Sequence, residues 1–537
     1  MIHQSTAIKH LSAALVLLGL ISFQTAQSKS EKLVLENEVL SKTFSFSRTS
    51  PDRIAVEVVS RPDGKTLSHS RDTPFFECLA GPARAETKPN ILFCIADDWG
   101  WPHSPLYGDK VVKTPTLERI AKNGVLFNHA YVSSPSCTPS RNAALTGQYH
   151  WRLGRGANLW SEFPEGVATY PRLLEKQGYY VASYRKAFGP GKDLPIPVAG
   201  NKVNKVDEFF ANRPEGKPFC FWFGASDPHR AYQPGSGVAS GMKLEDVQVP
   251  PYYPDNKTVR SDICDYYFEV QRFDREVGEL LDRLEKTGDL ANTIVVITGD
   301  NGWPFPRGKS NLYDYGARVP LAIMWGDQLK QGRTVDDFVS FIDFAPTFLA
   351  AAGIEVPSNM TGKSLLPILR SDKNGFIEST RDHVIYGKER HTDCQEKVGA
   401  AAACRAIRNK DFLYIHNFFP DRWPAGAPKS PRRGNWGDCD DGPTKTEILK
   451  LKDDPAGQKF YQLSFAKRPQ DELYDISKDP HQMHNLASDP EYAEALKKLR
   501  TQLMVELKVS GDLRMVEKGG VYESYGYKAY QSGKKKD

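Results

Sequence analysis

The stretch PNILFCIADDWGW, Pro89 to Trp101, decides the fold. Ile91 to Ile95 are apolar without alternation, the pattern of a strand covered on both faces, and the run stops abruptly at Asp97 and Asp98. Such a strand needs helices above and below, and the next segment, TPTLERIAKNGVLF (114–127), reads as one. Thr114 is placed as N-cap, Pro115 in the first turn and Gly124 at the end. YYVASY (179–184), PFCFWFGAS (218–226) and NTIVVITGDNG (292–302) repeat the buried-strand texture. A long amphipathic stretch from about Ser261 to Lys286 separates the last two. Strands alternating with helices predict an α/β fold, a mostly parallel sheet sandwiched by helices. Ligands of such folds sit beyond the carboxyl ends of the strands, where ADD and GDNG fall.

The chain has 537 residues, enough for about two or three folding units. With 40% hydrophobic and 26% charged residues and a net charge of +5, it has the composition of a globular protein and not of a nucleic-acid-coating polycation. At the amino end, His3 and Lys9 precede the apolar run LSAALVLLGLISF, and Ala26 and Ser28 suit a cleavage site. This predicts a signal peptide over 1–28 and a secreted or periplasmic protein. The run is shorter than the roughly 20 residues of a membrane span, so no integral span is expected. Residues 29–86 carry alternating stretches such as RIAVEVVS but no chemistry, and read as an N-terminal extension, either a small β appendage or a leader. The main domain is expected at 87–380. Beyond it, HVIYGKERH, CRAIRNKDFLYIHN and the helix-like PEYAEALKKLRTQLMVEL predict a smaller C-terminal α+β subdomain at 381–537.

Asp97 and Asp98 end one buried strand, and Asp300 and Asn301 end another. Side by side they offer three carboxylates and an amide oxygen, a set suited to a hard divalent cation, Ca²⁺ or Mg²⁺, rather than zinc. Arg141, Lys186 (SYRKAFGPG), His229 (SDPHR) and Lys309 (PRGKSN) fall at or near loop positions among glycines and prolines. Each alone reads as a solvated residue. Together, around a metal, they describe a pocket for a tetrahedral oxyanion. Eight cysteines in an exported chain suggest disulfides, with Cys394, Cys404 and Cys439 the better candidates for a pair. Cys137, in SPSCTPSRNAALTG, is open to two readings, a disulfide or a nucleophile.

CTPSRNAALTG (137–147) resembles the signature of the sulfatase family, Cys-x-Pro-Ser-Arg followed by Leu-Thr-Gly, and ADD and GDNG stand in that family's order. The likeness runs from about Pro89 to DELYDISKDPHQMHNLA (471–487). DPHR, NGWPFPRGKSNLY and the ELYD, DPH and NLA elements are most similar to the heparan N-sulfatase (N-sulfoglucosamine sulfohydrolase) branch. The resemblance implies an alkaline-phosphatase-like fold. It also implies oxidation of Cys137 to formylglycine by a formylglycine-generating or sulfatase-maturing enzyme, and Ca²⁺ held by Asp97, Asp98, Asp300, Asn301 and the modified residue 137. One hydroxyl of the hydrated aldehyde would attack sulfur, and the other would then expel sulfate. Arg141 and Lys186 would hold hydrate and sulfate, Lys309 would grip the sulfate, and His229 would protonate the leaving group.

Many sulfatases carry Lys-x-His where this chain has Lys186-Ala187-Phe188. Either another imidazole takes the proton from the hydrate, with His150 and His103 as candidates, or that step is slower here. Arg230, Arg390 and His391 are the candidate substrate contacts, and the alternative for the GKERH stretch is a solvated loop. The expected activity is hydrolysis of sulfate esters or sulfamates of a sulfated carbohydrate. The alternatives are an O-sulfatase on another sulfated polysaccharide, a phosphatase or phosphodiesterase with the same core, and a non-catalytic polyanion-binding protein.

Overall fold

The structure, a computed structural model, describes residues 32–37, 42–50, 53–60, 66–67, 73–74, 88–516 and 520–527. The predicted signal peptide lies outside the described residues. The chain divides into two units, Met1–Thr87 and Lys88–Asp537. In the first, β1 (Lys32–Asn37), β2 (Lys42–Ser50), β3 (Arg53–Ser60), β4 (Thr66–Leu67) and β5 (Thr73–Pro74) form one antiparallel sheet in the order β1-β2-β3-β4, with β5 also on β3.

The second unit is built on an eight-stranded sheet. Its strands are β6 (Asn90–Ala96), β7 (Val125–Tyr131), β9 (Tyr180–Arg185), β11 (Asn201–Val203), β12 (Phe219–Gly224), β13 (Thr293–Gly299), β14 (Arg318–Met324) and β15 (Arg333–Ser340). A short ribbon of β8 (Ser161–Glu162) and β10 (Gly191–Lys192) stands apart. The order is β11-β9-β12-β6-β13-β14-β7-β15. Every neighbouring pair is parallel except the two that involve β14. This is the mostly parallel sheet that the sequence predicts.

Strand β6 shows why its apolar run does not alternate. Ile91, Phe93 and Ile95 enter one hydrophobic core, whereas Leu92, Cys94 and Ala96 enter the core on the opposite face. Cys94 is thus a small core hydrophobe. The seven described cysteines are all free and buried, so the pairing expected among Cys394, Cys404 and Cys439 is not formed. Cys404 is turned into the core, and Cys394 Sγ lies 3.1 Å from Asp438 Oδ1.

The predicted helix after β6 spans Pro115–Lys122, but Thr114 makes no side-chain cap. Its hydroxyl pairs with Ser104 Oγ at 2.8 Å, and Asp274 supplies the cap from another helix, accepting from Thr116 N and Leu117 N at 2.9 Å each. Asp274 belongs to the long helix Lys257–Lys286, which Asn256 caps through Val259 N at 3.0 Å. Val259, Ile263, Val270, Phe273, Val277, Leu281 and Leu284 of that helix are buried at helical spacing.

Beyond residue 380, β16 (His383–Lys388), β17 (Cys404–Asn409), β18 (Phe412–Asn417) and β19 (Asp471–Asp475) form an antiparallel sheet. On one face Ile385, Ile407, Tyr414 and Leu473 meet Leu499, Leu503 and Leu507 of the closing helix Ala493–Val509. On the other, Tyr386, Ala406, Leu413 and Ile415 join a core of the large sheet. The two sheets therefore share buried surface, worth about 1.5–3 kcal/mol for each large apolar side chain. Among the described residues, no helix is long and apolar enough to cross a membrane.

Candidate active site

Register assembles the floor of the site. In the parallel pair β6 and β13, Ala96 faces Gly299, so Asp97 and Asp98 emerge beside Asp300 and Asn301. Asp300 N donates to Ala96 O at 3.0 Å, and Asp98 N donates to Asp300 Oδ1 at 2.9 Å. Gly299 permits this approach, because a Cβ there would lie 2.0 Å from Trp99 O. Asp98 itself holds φ +76°, a left-handed conformation rare outside glycine and concentrated at functional sites.

Cys137 opens a fully buried helix, Cys137–Thr146, so the positive end of that helix faces the acidic strand ends. Its Sγ is 3.5 Å from Asp97 Oδ1. One turn later Arg141 Nε donates to Asp300 Oδ2 at 2.7 Å. Lys186, one residue past β9, reaches both Asp97 oxygens at 2.6 Å, and Lys309 Nζ donates to Asp98 Oδ2 at 2.8 Å. His229 Nδ1 lies 2.5 Å from Arg230 O, which leaves Nε2, 3.9 Å from Asp98 Oδ2, as the nitrogen free to act.

Metal-ligand atoms of Asp97, Asp98, Cys137 and Asp300 lie within 4.8 Å of one another, and all four residues are buried. Asn301 Nδ2 donates to Asp98 Oδ1 at 2.8 Å, while Asn301 Oδ1 is buried with no partner among the described residues. An orphaned amide oxygen beside three carboxylates costs free energy unless a cation takes it, and an oxygen-rich set fits a hard divalent ion.

Burial opposes ionisation of both neighbouring aspartates. In Asp97, Lys186, His229 and Arg141 overcome it and hold the carboxyl below the usual range, whereas in Asp98 burial wins and pushes it up. Burial would lower the ammonium groups too. Asp97 reverses this for Lys186, as Asp440 and Asp98 do for Lys309, and both stay protonated. Burial pushes the Cys137 thiol well up despite Lys186 and Lys309, the opposite of what a thiolate nucleophile requires.

The family comparisons agree with this geometry. The sulfatase profile matches residues 89–190 and 202–354, and the profile for the C-terminal region of N-sulphoglucosamine sulphohydrolase matches 299–424. The chain belongs to the sulfatase family. As a sulfatase it is a sulfuric ester hydrolase. An ulvan-active sulfatase of Formosa agariphila is 28% identical over 475 residues, covering 79% of this chain and 76% of that protein. Human N-sulphoglucosamine sulphohydrolase is 29% identical over 479 residues, covering 79% and 91%. The fold is shared with a solved structure of a protein in complex with its substrate D-glucosamine-2-N,6-O-disulfate. Its TM-score is 0.59 at 23% identity, covering 80% of this chain and 100% of that one.

Above the sulfatase's floor lies a cleft of about 600 Å³. Asp97, Cys137, Lys186, His229, Arg230, Lys309 and His391 all line it. The guanidinium of Arg230 is spent elsewhere, on both Asp262 oxygens at 2.8 Å and on Pro304 O at 3.0 Å. It positions the His229 loop. Arg390 does not line the cleft, because it donates to Gly399 O and Tyr525 O. The GKERH stretch is a buried girder and not a solvated loop. Lys388 bonds Ser310 and Pro424, Glu389 pairs with Arg405 and Arg514, and His391 alone of this run reaches the cleft.

His103 and His150 are also away from the cleft. His103 sits among Tyr266, Tyr267 and Trp303, where burial pushes its pKa down to about 3, and His150 Nδ1 is 3.0 Å from Ser133 Oγ. Phe188 stands in the cleft wall, edge-on to Phe163. Sequence reasoning missed Asp440, Asp227, Glu269 and Arg272, which also line the cleft. The acidic run GDCDDG was the one signal for Asp440, and nothing in it named a partner.

Proposed function

We propose that this sulfatase hydrolyses sulfate from a sulfated carbohydrate, with Cys137 converted to formylglycine and Ca²⁺ held by Asp97, Asp98, Asp300 and Asn301. The observation that carries the reading is the buried contact of Cys137, at a helix N-terminus, with the strand-end aspartates. Together the hydrated aldehyde and the cation would supply a poised oxygen nucleophile and a Lewis acid. Arg141 and Lys186 orient residue 137 and the sulfate, and Lys309 neutralises sulfate charge. His229 delivers a proton to the leaving group from Nε2. His391 takes the part of the missing Lys-x-His imidazole. Its Nδ1 lies 2.8 Å from Ser136 Oγ and burial lowers its pKa to about 4, so the ring is neutral at neutral pH, and in the tautomer whose Nδ1–H donates to Ser136 its Nε2 accepts the proton.

The likeness to N-sulphoglucosamine sulphohydrolase supports a sulfamate or glucosamine substrate. The likeness to an ulvan-active sulfatase favours, as a second reading, an O-sulfatase on another polysaccharide. The leader at 1–28 supports export, residues 29–86 an accessory extension, 87–380 the catalytic domain and 381–537 its C-terminal subdomain.

Peptide mass spectrometry across residue 137 is expected to show loss of H₂S and gain of oxygen. Chelation is expected to abolish aryl sulfate turnover and lower Tm. Turnover of an N-sulfated and an O-sulfated glucosamine, beside an aryl phosphate, separates the substrate readings. An intact thiol in active enzyme, or undiminished activity without metal, sinks the proposal.

A further inference from the structure

The anion pocket holds one carboxylate more than anion binding needs. Asp98 already takes Lys309 Nζ at 2.8 Å, yet Asp440 brings a second carboxylate to the same ammonium, with Oδ2 at 3.3 Å. Ligand-type atoms of Asp98, His229 and Asp440 all lie within 4.8 Å of one another, so Asp440 stands beside the group assigned to the leaving-group proton. Its ion pair with Lys309 places a carboxylate beside an incoming sulfate, which it repels. Something on the substrate must offset that repulsion.

Two further observations say what. The Asp440 side chain is 29% exposed although its Oδ2 is buried against Lys309, so the acceptor it offers to the cleft is Oδ1, which takes no hydrogen bond from the described residues. The loop that carries it is also held rigid. Lys445 Nζ donates to the carbonyls of Asn435, Trp436 and Cys439 and to Asp441 Oδ1, at 2.8–3.1 Å. Asp438 Oδ1 accepts from Thr392 N at 2.7 Å, and Thr444 is bonded to Asp262, which also holds Arg230. An acceptor so fixed is preorganised for a donor arriving from the cleft.

We propose that Asp440 determines specificity by accepting a hydrogen bond from the hydroxyl vicinal to the sulfated position of the sugar. This rests on the carbohydrate reading above. A site built around a charged acceptor discriminates against an analogue that lacks the donor, because the bound analogue strips water from the cleft-facing oxygen and gives it no hydrogen bond in return.

The test compares wild type with Asp440→Asn on three substrates. These are the sulfated glucosamine that wild type hydrolyses, its analogue lacking the vicinal hydroxyl, and 4-nitrophenyl sulfate. The substitution should lower kcat/KM on the sugar at least about tenfold more than on the aryl sulfate, and wild type should lose a similar factor on the deoxy analogue. Asp440→Asn should no longer distinguish sugar from deoxy sugar. Equal losses on all three substrates overturn the inference while leaving the sulfatase reading intact. Hydrolysis of the aryl sulfate but of no sugar sulfate by wild type overturns the carbohydrate reading and this inference with it. If the variant does not fold, wild type decides the matter: a preference below about threefold for the sugar over its deoxy analogue overturns the inference.

Discussion

Asp97, Asp98, Asp300 and Asn301 stand on the ends of two paired strands, whereas His391 and Asp440 stand on loops associated with the C-terminal sheet. The floor is placed by backbone register, so its chemistry follows directly from two short strings of sequence. The wall is placed by side chains. Glu389, two residues before His391, is buried against Arg405 and Arg514, and Arg405 also holds Asp512 at 2.7 Å. Asp440 depends on Lys445 and Asp438 in the same way. Register is cheap to encode and hard to vary. A wall held by ion pairs can be rebuilt without disturbing the floor, and that is where one sulfatase can differ from another in substrate.

The comparison can be broken at the floor first. Cys137→Ala should cut sulfate turnover by about 10⁴–10⁶-fold, the scale of losing a covalent nucleophile, with little change in Tm. Steady-state rates and a melting curve check both. On the wall, Arg405→Met should leave Asp512 buried without its partner and cost about 3–5 kcal/mol of stability by denaturant titration. Cation binding by the floor should survive in the folded fraction, and its loss would mean that floor and wall are not independent. His229→Ala, between the two regions, should slow turnover about 10²–10⁴-fold on a sugar sulfate, where the leaving group needs a proton. The loss should be smaller on 4-nitrophenyl sulfate, whose leaving group departs unprotonated, and equal losses would count against a general acid.

The smallest effect concerns pH and the wall alone. Burial, reinforced by Asp227, pushes Glu269 from 4.5 up to about 7. The folded state then binds a proton that the unfolded state has released, so stability falls as pH rises from about 4.5 through about 7. Glu269→Gln should flatten that part of the Tm profile, and an unchanged slope would assign it to another group.

The floor was legible because each of its residues follows a recognisable element: ADD after one buried run, GDNG after another, and cysteine within a dense signature. The wall was misread in both directions. Arg230 and Arg390 look like free cations in sequence, but Asp262 and the carbonyls of Gly399 and Tyr525 consume them. Asp440 looks like one more acid in a polar turn, because its partner Lys309 is 131 positions away in the chain. His103 and His150 were plausible proton acceptors only while their burial was unknown.

Apolar runs and their spacing determined the α/β architecture by themselves, since burial on both faces leaves no room for alternation. They also determined that two acidic strand ends share one edge of the sheet. Tertiary structure alone decided which cations remain available to a ligand, which histidine enters the cleft and where the extra carboxylate stands. A side chain's partner, and therefore its freedom to act, is set by contacts between segments far apart along the chain, and local pattern carries no record of them.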